Sequence, residues 1–481
     1  MRQRCLLVVL LVMALGCRGA SHPTKPKRSV LWVASGSEIG LAELGKAEGV
    51  GIGEAFVEAG RLSFRGGSPG IEPLPTFSLP QPLGVTLVVR GDWGGGDVDA
   101  DAAASALAGG LDSVRAAAAG RGLTGLGYHL DVDYGGNLAS WAKTMAALRK
   151  KVDRRLYLSA NLKRSSLGSS EAEDLASAAD FLVVFLYGQR PPEREEATAW
   201  DLQKVEKDLR LVEKLGRPYL LGVVTLGRSF HLGPRGEVLA ESSEIAVGPL
   251  ARSSSFQLGR GFSLEGVDRL VYSFQAQEPV TVGPWRLSRG QSVRLIGLAR
   301  YYIEELSRRL EALDLDHYRG TAYYRFAGAN EPTSLSLDTL ARALSSDSSK
   351  PQVGVTLEPA GGRRFRVTIE NLSEERSDIA VLGSNFVEVE AAAGGVLSRV
   401  DPGEFQRWEL LRKNSDGELV RDFRDATTLR LFTPILEPHE RRTSGTFEVS
   451  GRAGTPTAHA KFLFPGGIAV EAQSQSSTGS P

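Results

Sequence analysis

The sequence predicts an α/β chain: a (β/α)8 barrel with an insertion between its seventh and eighth strands, followed by a C-terminal all-β sandwich. Three observations lead there. Eight apolar runs, continuous rather than alternating and bounded by Gly, Pro or Asp, read as strands covered on both faces, with helical patterns between most of them. The connection after the seventh run, residues 228–290, is long and carries a strand-like stretch of its own. After "SSDSSK" (Ser345–Lys350) no helix pattern remains, and strand-like runs alternate with turn signals.

The expected barrel strands are Ser29–Ser35, Val50–Glu58, Gly84–Gly91, Gly125–Asp133, Arg155–Leu162, Asp180–Gly188, Pro218–Gly227 and Gly320–Gly328. Helices are expected at Asp99–Ala119, which follows a capping-type Asp, and at Leu138–Val152, whose basic last turn (Arg149, Lys150, Lys151) suits the helix dipole. Asp201–Leu215 and Gln291–Leu313 carry apolar residues at three- and four-residue spacing and read as helices too. The connection at residues 60–83 is rich in Gly and Pro and shows no helix. Inside the insertion, Asp268–Gln277 reads as a strand. The layout is thus a barrel over residues 29–345, a linker at 346–350, a sandwich over 351–472 and a polar tail, 473–481, of disordered composition.

Composition narrows the function. Lys+Arg and Asp+Glu both total 57, so the net charge is +0 and no basic face for nucleic acid is expected. At the N-terminus, Arg2 and Arg4 precede a short apolar run that closes on Gly16 and Cys17. Residues 1–17 therefore read as an export signal ending in a lipobox, with Cys17 the lipidated residue, 18–28 a tether and a bacterial envelope membrane the partner of the anchor. Cys5 and Cys17 are the two cysteines, so the exported chain would hold no disulfide and no cysteine-ligated zinc. The six histidines lack a paired ligand spacing; no metal and no cofactor are expected.

Function in such a barrel sits at the C-terminal ends of the strands. The polar residues expected there are Arg90 and Asp92 with Trp93 on strand three, and Asp131 and Asp133 with Tyr134 on strand four. Asn161 follows on strand five, Tyr187 on strand six, and Tyr323 and Arg325 on strand eight. His129 points the same way as Asp131, because residues two apart share a face of a strand. Crowding of Asp131 and Asp133 would favour protonation of one of them. Carboxylates, an amide, tyrosines and a tryptophan around one mouth form a set suited to sugars, the aromatics stacking on sugar faces and the carboxylates taking hydroxyls or exchanging protons. The same aspartates could instead serve structure by binding backbone amides or arginines such as Arg90 and Arg325.

"GLGYHLDVDYGG" (Gly125–Gly136) resembles the fourth-strand signature of the chitinase-like family-18 glycoside hydrolases, typically "FDGIDIDWEYPG". In that alignment Asp131 falls on the inner aspartate, Asp133 on the catalytic glutamate, Tyr134 on the following tyrosine and Gly127 on the glycine, while His129 replaces the outer aspartate. Tyr187 falls on a tyrosine that, with the inner aspartate, orients the substrate's acetamido nucleophile. The resemblance implies Asp133 as general acid, with Asp131 and Tyr187 as positioning groups. An aspartate at that place is shorter by one methylene. The longer run "LDVDY…LASWAKTMAALRKKV…LYLSANL", with "FLVVFLYG" and "RPYLLGVVTLG", is similar to the bacterial domain of unknown function 3142. Two functions follow as alternatives: a glycoside hydrolase using Asp133, or a non-catalytic carbohydrate-binding or scaffolding protein on a barrel of hydrolase descent, with Trp93 as sugar platform in both.

Overall fold

The structure is a computed structural model that describes residues 28–34, 45, 47–75, 83–94, 98–186, 202–258, 269–298, 300–325, 332, 334–345, 350–379, 384–451, 454–465 and 467–474. Tyr187 and Cys17 lie outside the described residues.

Eight strands pair in parallel and close on themselves: β1 (Arg28–Val33), β2 (Ile52–Arg65), β3 (Gly84–Asp92), β4 (Gly125–Asp133), β5 (Tyr157–Lys163), β6 (Phe181–Phe185), β7 (Tyr219–Val224) and β8 (Tyr318–Tyr324). β1 pairs with both β2 and β8, which removes every free edge from the ring. Around it stand α1 (Ala100–Ala119), α2 (Leu138–Lys151), α3 (Ser170–Ala178), α4 (Leu202–Glu213), α5 (Arg300–Ala312) and α6 (Leu337–Leu344). Asp99 caps α1 by accepting from the Ala102 N–H at 2.7 Å. The strands are apolar on both sides because one side faces these helices and the other fills the ring. Trp32, Phe56, His129 and Phe185 meet inside it, with Trp32 5.5 Å from Phe56 and 5.1 Å from His129 between ring centroids. Gly127 lets β4 and β5 approach: a Cβ there would lie 2.5 Å from the Tyr157 carbonyl oxygen.

Two expectations are corrected. The second strand does not end at Glu58: β2 runs on to Arg65 and turns back through Gly66 and Gly67, both at positive φ, into an antiparallel strand at Ser68–Pro73, so residues 60–73 hold no helix but are strand rather than loop. Gln291–Leu313 is not one helix. Ser292–Leu298 is a strand and α5 starts at Arg300, because Val293 and Leu295 alternate into an apolar cluster while the spacing only mimics a helical one.

That strand belongs to the insertion, which is a five-stranded antiparallel sheet in the order Val238–Ser242, Arg228–Leu232, Ser292–Leu298, Arg269–Ala276, Phe256–Leu258. From Val353 on, two antiparallel sheets face each other. One holds Val353–Pro359, Arg364–Asn371, Arg441–Thr443, Phe447–Gly451 and Gly395–Ser398. The other holds Leu419–Arg421, Arg407–Lys413, Thr428–Phe432, Phe386–Glu390, Thr457–Phe464 and Ile468–Gln473. Val367, Ile369 and Phe447 of the first pack on Val389, Leu431 and Phe462 of the second, which makes a sandwich. Among the described residues no helix is long and apolar enough to cross a membrane.

Candidate functional site

Alternation along three neighbouring strands builds the site. From β3 it sends Arg90 into the mouth, from β4 Asp131 and Asp133, and from β5 Asn161 and Lys163. β4 and β5 stay in register only to Leu130 and Ala160. Beyond that the side chain of Asn161 replaces the ladder, its Oδ1 accepting the Val132 N–H at 3.1 Å. The strands can then part enough for side chains to stand between them.

The two aspartates lie in opposite environments. Asp133 is half-exposed; Lys163 Nζ lies 2.5 Å from its Oδ1, and the Gly135 N–H donates to the same oxygen at 3.0 Å. The hydrogen bond from Lys163 holds its pKa below the ordinary value. Asp131 has a side chain only 16% exposed, with Arg90 Nε 3.6 Å from Oδ2, a charge contact longer than a hydrogen bond. Burial pushes its pKa from 3.8 up to about 6; Arg90 and Lys163 oppose this, and Glu58 and Asp133 add to it. One carboxyl of the pair is indeed raised, but desolvation is the main cause and crowding a minor one.

Lys163 is itself held three ways. Its ammonium pairs with Asp133 and lies 5.4 Å from the Tyr134 ring centroid, and its backbone N–H donates to Tyr134 Oη at 3.0 Å. Across the mouth, the Arg90 guanidinium lies 5.7 Å from the ring centroid of Tyr324, which stacks edge-on against Trp32. The cluster is therefore Arg90, Asp131, Asp133, Lys163 and Tyr324, with Glu58 of β2 close enough to act on Asp131 and Arg90. Asp92 ends β3 beside Asp133 in register and is exposed. Arg325 is half-buried next to Tyr324, its carbonyl accepting from Thr225 Oγ1 at 2.9 Å.

Several expected site residues stand elsewhere. Trp93 is 2% exposed, packed between Phe64 and Trp141 with centroids 5.1 and 5.0 Å away, and its Nε1–H donates to Ser140 Oγ at 3.4 Å; a ring enclosed in this way offers no sugar platform. Tyr134 is buried and spends its hydroxyl on Ser166 and the Lys163 amide, so it supports the lysine rather than a ligand. Tyr323 faces outward, its hydroxyl close to Thr321 and to Ser307 of α5; Tyr324 is the tyrosine that faces in. His129 does share the face of Asp131, one layer lower and fully buried. Its Nδ1 lies 3.0 Å from Ser159 Oγ, which itself donates to the Tyr128 carbonyl. Nδ1 therefore carries the proton, and Nε2 has no hydrogen-bond partner among the described residues. Burial lowers its pKa to about 3, so the ring is neutral.

Lys163 and Tyr324 were not expected. Lys163 had a readable signal: it lies two residues after Asn161 and so shares its face. Tyr324 had none, because adjacent tyrosines on a strand buried on both sides do not reveal which points inward.

Chemically, the mouth offers an ionised carboxylate that only accepts, a carboxyl that exchanges its proton near neutral pH, and two cations that only donate. Among the described residues, no group of three or more His, Cys, Asp or Glu could hold a metal ion.

No family model matches the sequence, so membership of the domain of unknown function 3142 is not shown, and no curated protein matches it either. Solved structures of similar shape exist. A chitinase from Chromobacterium violaceum is 14% identical, covering 66% of this chain and 98% of its own, at a TM-score of 0.44. A family-18 N-acetylglucosaminidase from Paenibacillus barengoltzii is 15% identical over 66% and 99%, at 0.43. A class V chitinase from Nicotiana tobaccum is 11% identical over 67% and 99%, at 0.41. These are chitinase-like barrels of low identity, and no residue's role is taken from them.

Proposed function

We propose that the mouth of the barrel binds a carbohydrate chain, with Asp133 serving as an ionised acceptor and not as a proton donor. The observation that carries this reading is the cation on the expected acid: Lys163 Nζ at 2.5 Å from Asp133 Oδ1, with the Gly135 amide on the same oxygen. A general acid has to be protonated at the working pH. A carboxylate gripped by an ammonium and an amide is stabilised in the opposite form. Its short side chain adds to this: one methylene less than a glutamate sets the carboxyl back by about 1.5 Å, and a misplacement of about 1 Å can cost on the order of 100-fold in rate. The carbohydrate class is supported by the resemblance of Gly125–Gly136 to the family-18 strand. It is supported too by a mouth of separate donors and acceptors, Arg90 and Lys163 beside Asp131 and Asp133, which suits a ligand rich in hydroxyls.

The test is retention of the protein on chitin, peptidoglycan and common polysaccharides. One polymer should retain it, and Arg90→Met and Asp133→Ala should each weaken retention. Retention on none of them, or retention untouched by both changes, would count against the mouth as the site.

A second reading has one observation behind it. Asp131, with its pKa near 6, is the carboxyl that could carry a proton to a leaving group, so any hydrolysis would depend on Asp131. The proposal also places the protein in the bacterial envelope through a lipid on Cys17. Incorporation of labelled fatty acid should then occur and be lost in Cys17→Ala.

A further inference from the structure

The β-sandwich is joined to the rest of the protein by more than its linker. Ile379 and Ile435 of the sandwich are buried in one apolar cluster with Ile245, Tyr272, Phe274 and Trp285 of the inserted segment. At its edge Tyr272 Oη donates to Asp378 Oδ1 at 2.7 Å, both residues buried, and the Ile379 N–H donates to the same oxygen at 2.8 Å. Arg252 Nη2 donates to Glu440 Oε2 at 2.7 Å. Arg300, the first residue of α5, places Nε 2.9 Å from Glu375 Oε1, with side chains 7% and 9% exposed. A loosely tethered module meets its neighbour through a small polar surface. This seam is apolar at its centre and buries an ion pair and a tyrosine–carboxylate bond.

The inserted sheet in turn is rooted at the mouth. Its first strand starts at Arg228, and Thr225 just before it grips the end of β8. The Thr225 N–H donates to the Tyr324 carbonyl at 2.6 Å, and its Oγ1 donates to the Arg325 carbonyl at 2.9 Å. The Thr225 carbonyl accepts from the Leu335 N–H at 2.8 Å, and the Gly227 N–H donates to Ser334 Oγ at 2.9 Å. Ser334 and Leu335 line a cleft of about 160 Å³ whose far wall includes Arg300, Glu375 and Arg376 at the seam. A continuous set of packed and bonded groups therefore runs from Asp378 and Ile435 to the backbone that presents Tyr324.

From this we infer that the sandwich is a buttress: through the inserted sheet it fixes the end of β8, and with it the wall of the mouth. Segments held by such contacts open together, and loosening the seam lowers the protection of everything rooted on it. The inference concerns the architecture of the mouth and stands whether or not the ligand is a carbohydrate.

Amide hydrogen exchange read by mass spectrometry on the whole protein tests it, comparing wild type with Tyr272→Phe and Ile435→Ala. Tyr272→Phe keeps the ring and removes one buried hydrogen bond, so it folds even if Ile435→Ala does not, and it carries the test alone in that case. Exchange should accelerate about tenfold not only in the sandwich but in residues 228–232, 269–276 and 318–325, while α1 keeps its wild-type protection. Acceleration confined to the sandwich would overturn the inference, as would no acceleration anywhere. A uniform acceleration that includes α1 would overturn it too, since that reports global unfolding.

Discussion

Asp131 and Asp133 share a strand and a face, yet burial acts on one and a lysine on the other. Asp131 is raised in the fold, from 3.8 to about 6, so its ionised form costs stability that is recovered as pH falls through that window. Asp131→Asn should therefore stabilise the protein at pH 8 by about 1–3 kcal/mol, with the gain gone by about pH 4. Thermal melts at the two pH values check this; a loss of stability at pH 8 would mean that Arg90 needs the charge more than burial penalises it. For Asp133 the sign is reversed: its lowered pKa favours the ionised form. In Lys163→Met the Asp133 carboxyl should titrate at higher pH, visible by carbon NMR of labelled aspartate, while stability changes by no more than about 1 kcal/mol because the pair is half-exposed. An unchanged titration would remove Lys163 from its role. At this scale the sequence made the aspartate pair legible through two-residue spacing. It could not show which carboxyl would be buried, because that depends on Arg90 and Lys163 arriving from neighbouring strands.

Elements explain why some residues that read as site residues serve the scaffold. Trp93 follows the last residue of β3, a strand end at which the sequence suggests a sugar platform. Its backbone N–H instead donates to the Asp133 carbonyl at 2.7 Å, extending the link between the two strand ends, and its ring turns toward α2. Trp93→Ala should then cost about 3–5 kcal/mol of stability, measured by denaturant unfolding. A change below about 1 kcal/mol would return the ring to the list of ligand contacts. The parallel strands were readable because short apolar runs, rich in β-branched and aromatic residues and bounded by Gly, Pro or Asp, mark strands covered on both faces. Ser292–Leu298 was not, since Val293, Leu295 and Ile296 followed by the apolar positions of α5 mimic one helical stripe. Tyr323 and Tyr324 were interchanged for a related reason: phase on such a strand is set by the neighbouring strands, with Tyr324 registered to Val224.

At the scale of the whole molecule, barrel and sandwich were both visible as a change of pattern near Ser345, but the seam between them was not. Its partners are separated by at least 75 residues in sequence, as Arg300 and Glu375 are, and nothing local marks them as a pair. Arg300→Met should lower stability by about 3–5 kcal/mol because it strands Glu375 in a buried site, whereas Arg300→Met with Glu375→Met should cost clearly less. Equal costs for the single and double variants would mean that Glu304, which also reaches Arg300, carries the charge instead. The barrel, closed by strands, presents a mouth whose expected acid is occupied by a lysine.

The most direct measurement is product analysis by mass spectrometry after long incubation of the wild-type protein with whichever polymer retains it, beside Asp133→Asn and Asp131→Asn. The account predicts no product released through Asp133: none at all, or product that survives in Asp133→Asn and disappears in Asp131→Asn. Product formed by the wild type and abolished in Asp133→Asn would contradict it and make Lys163 a partner in catalysis rather than a lock on the acid.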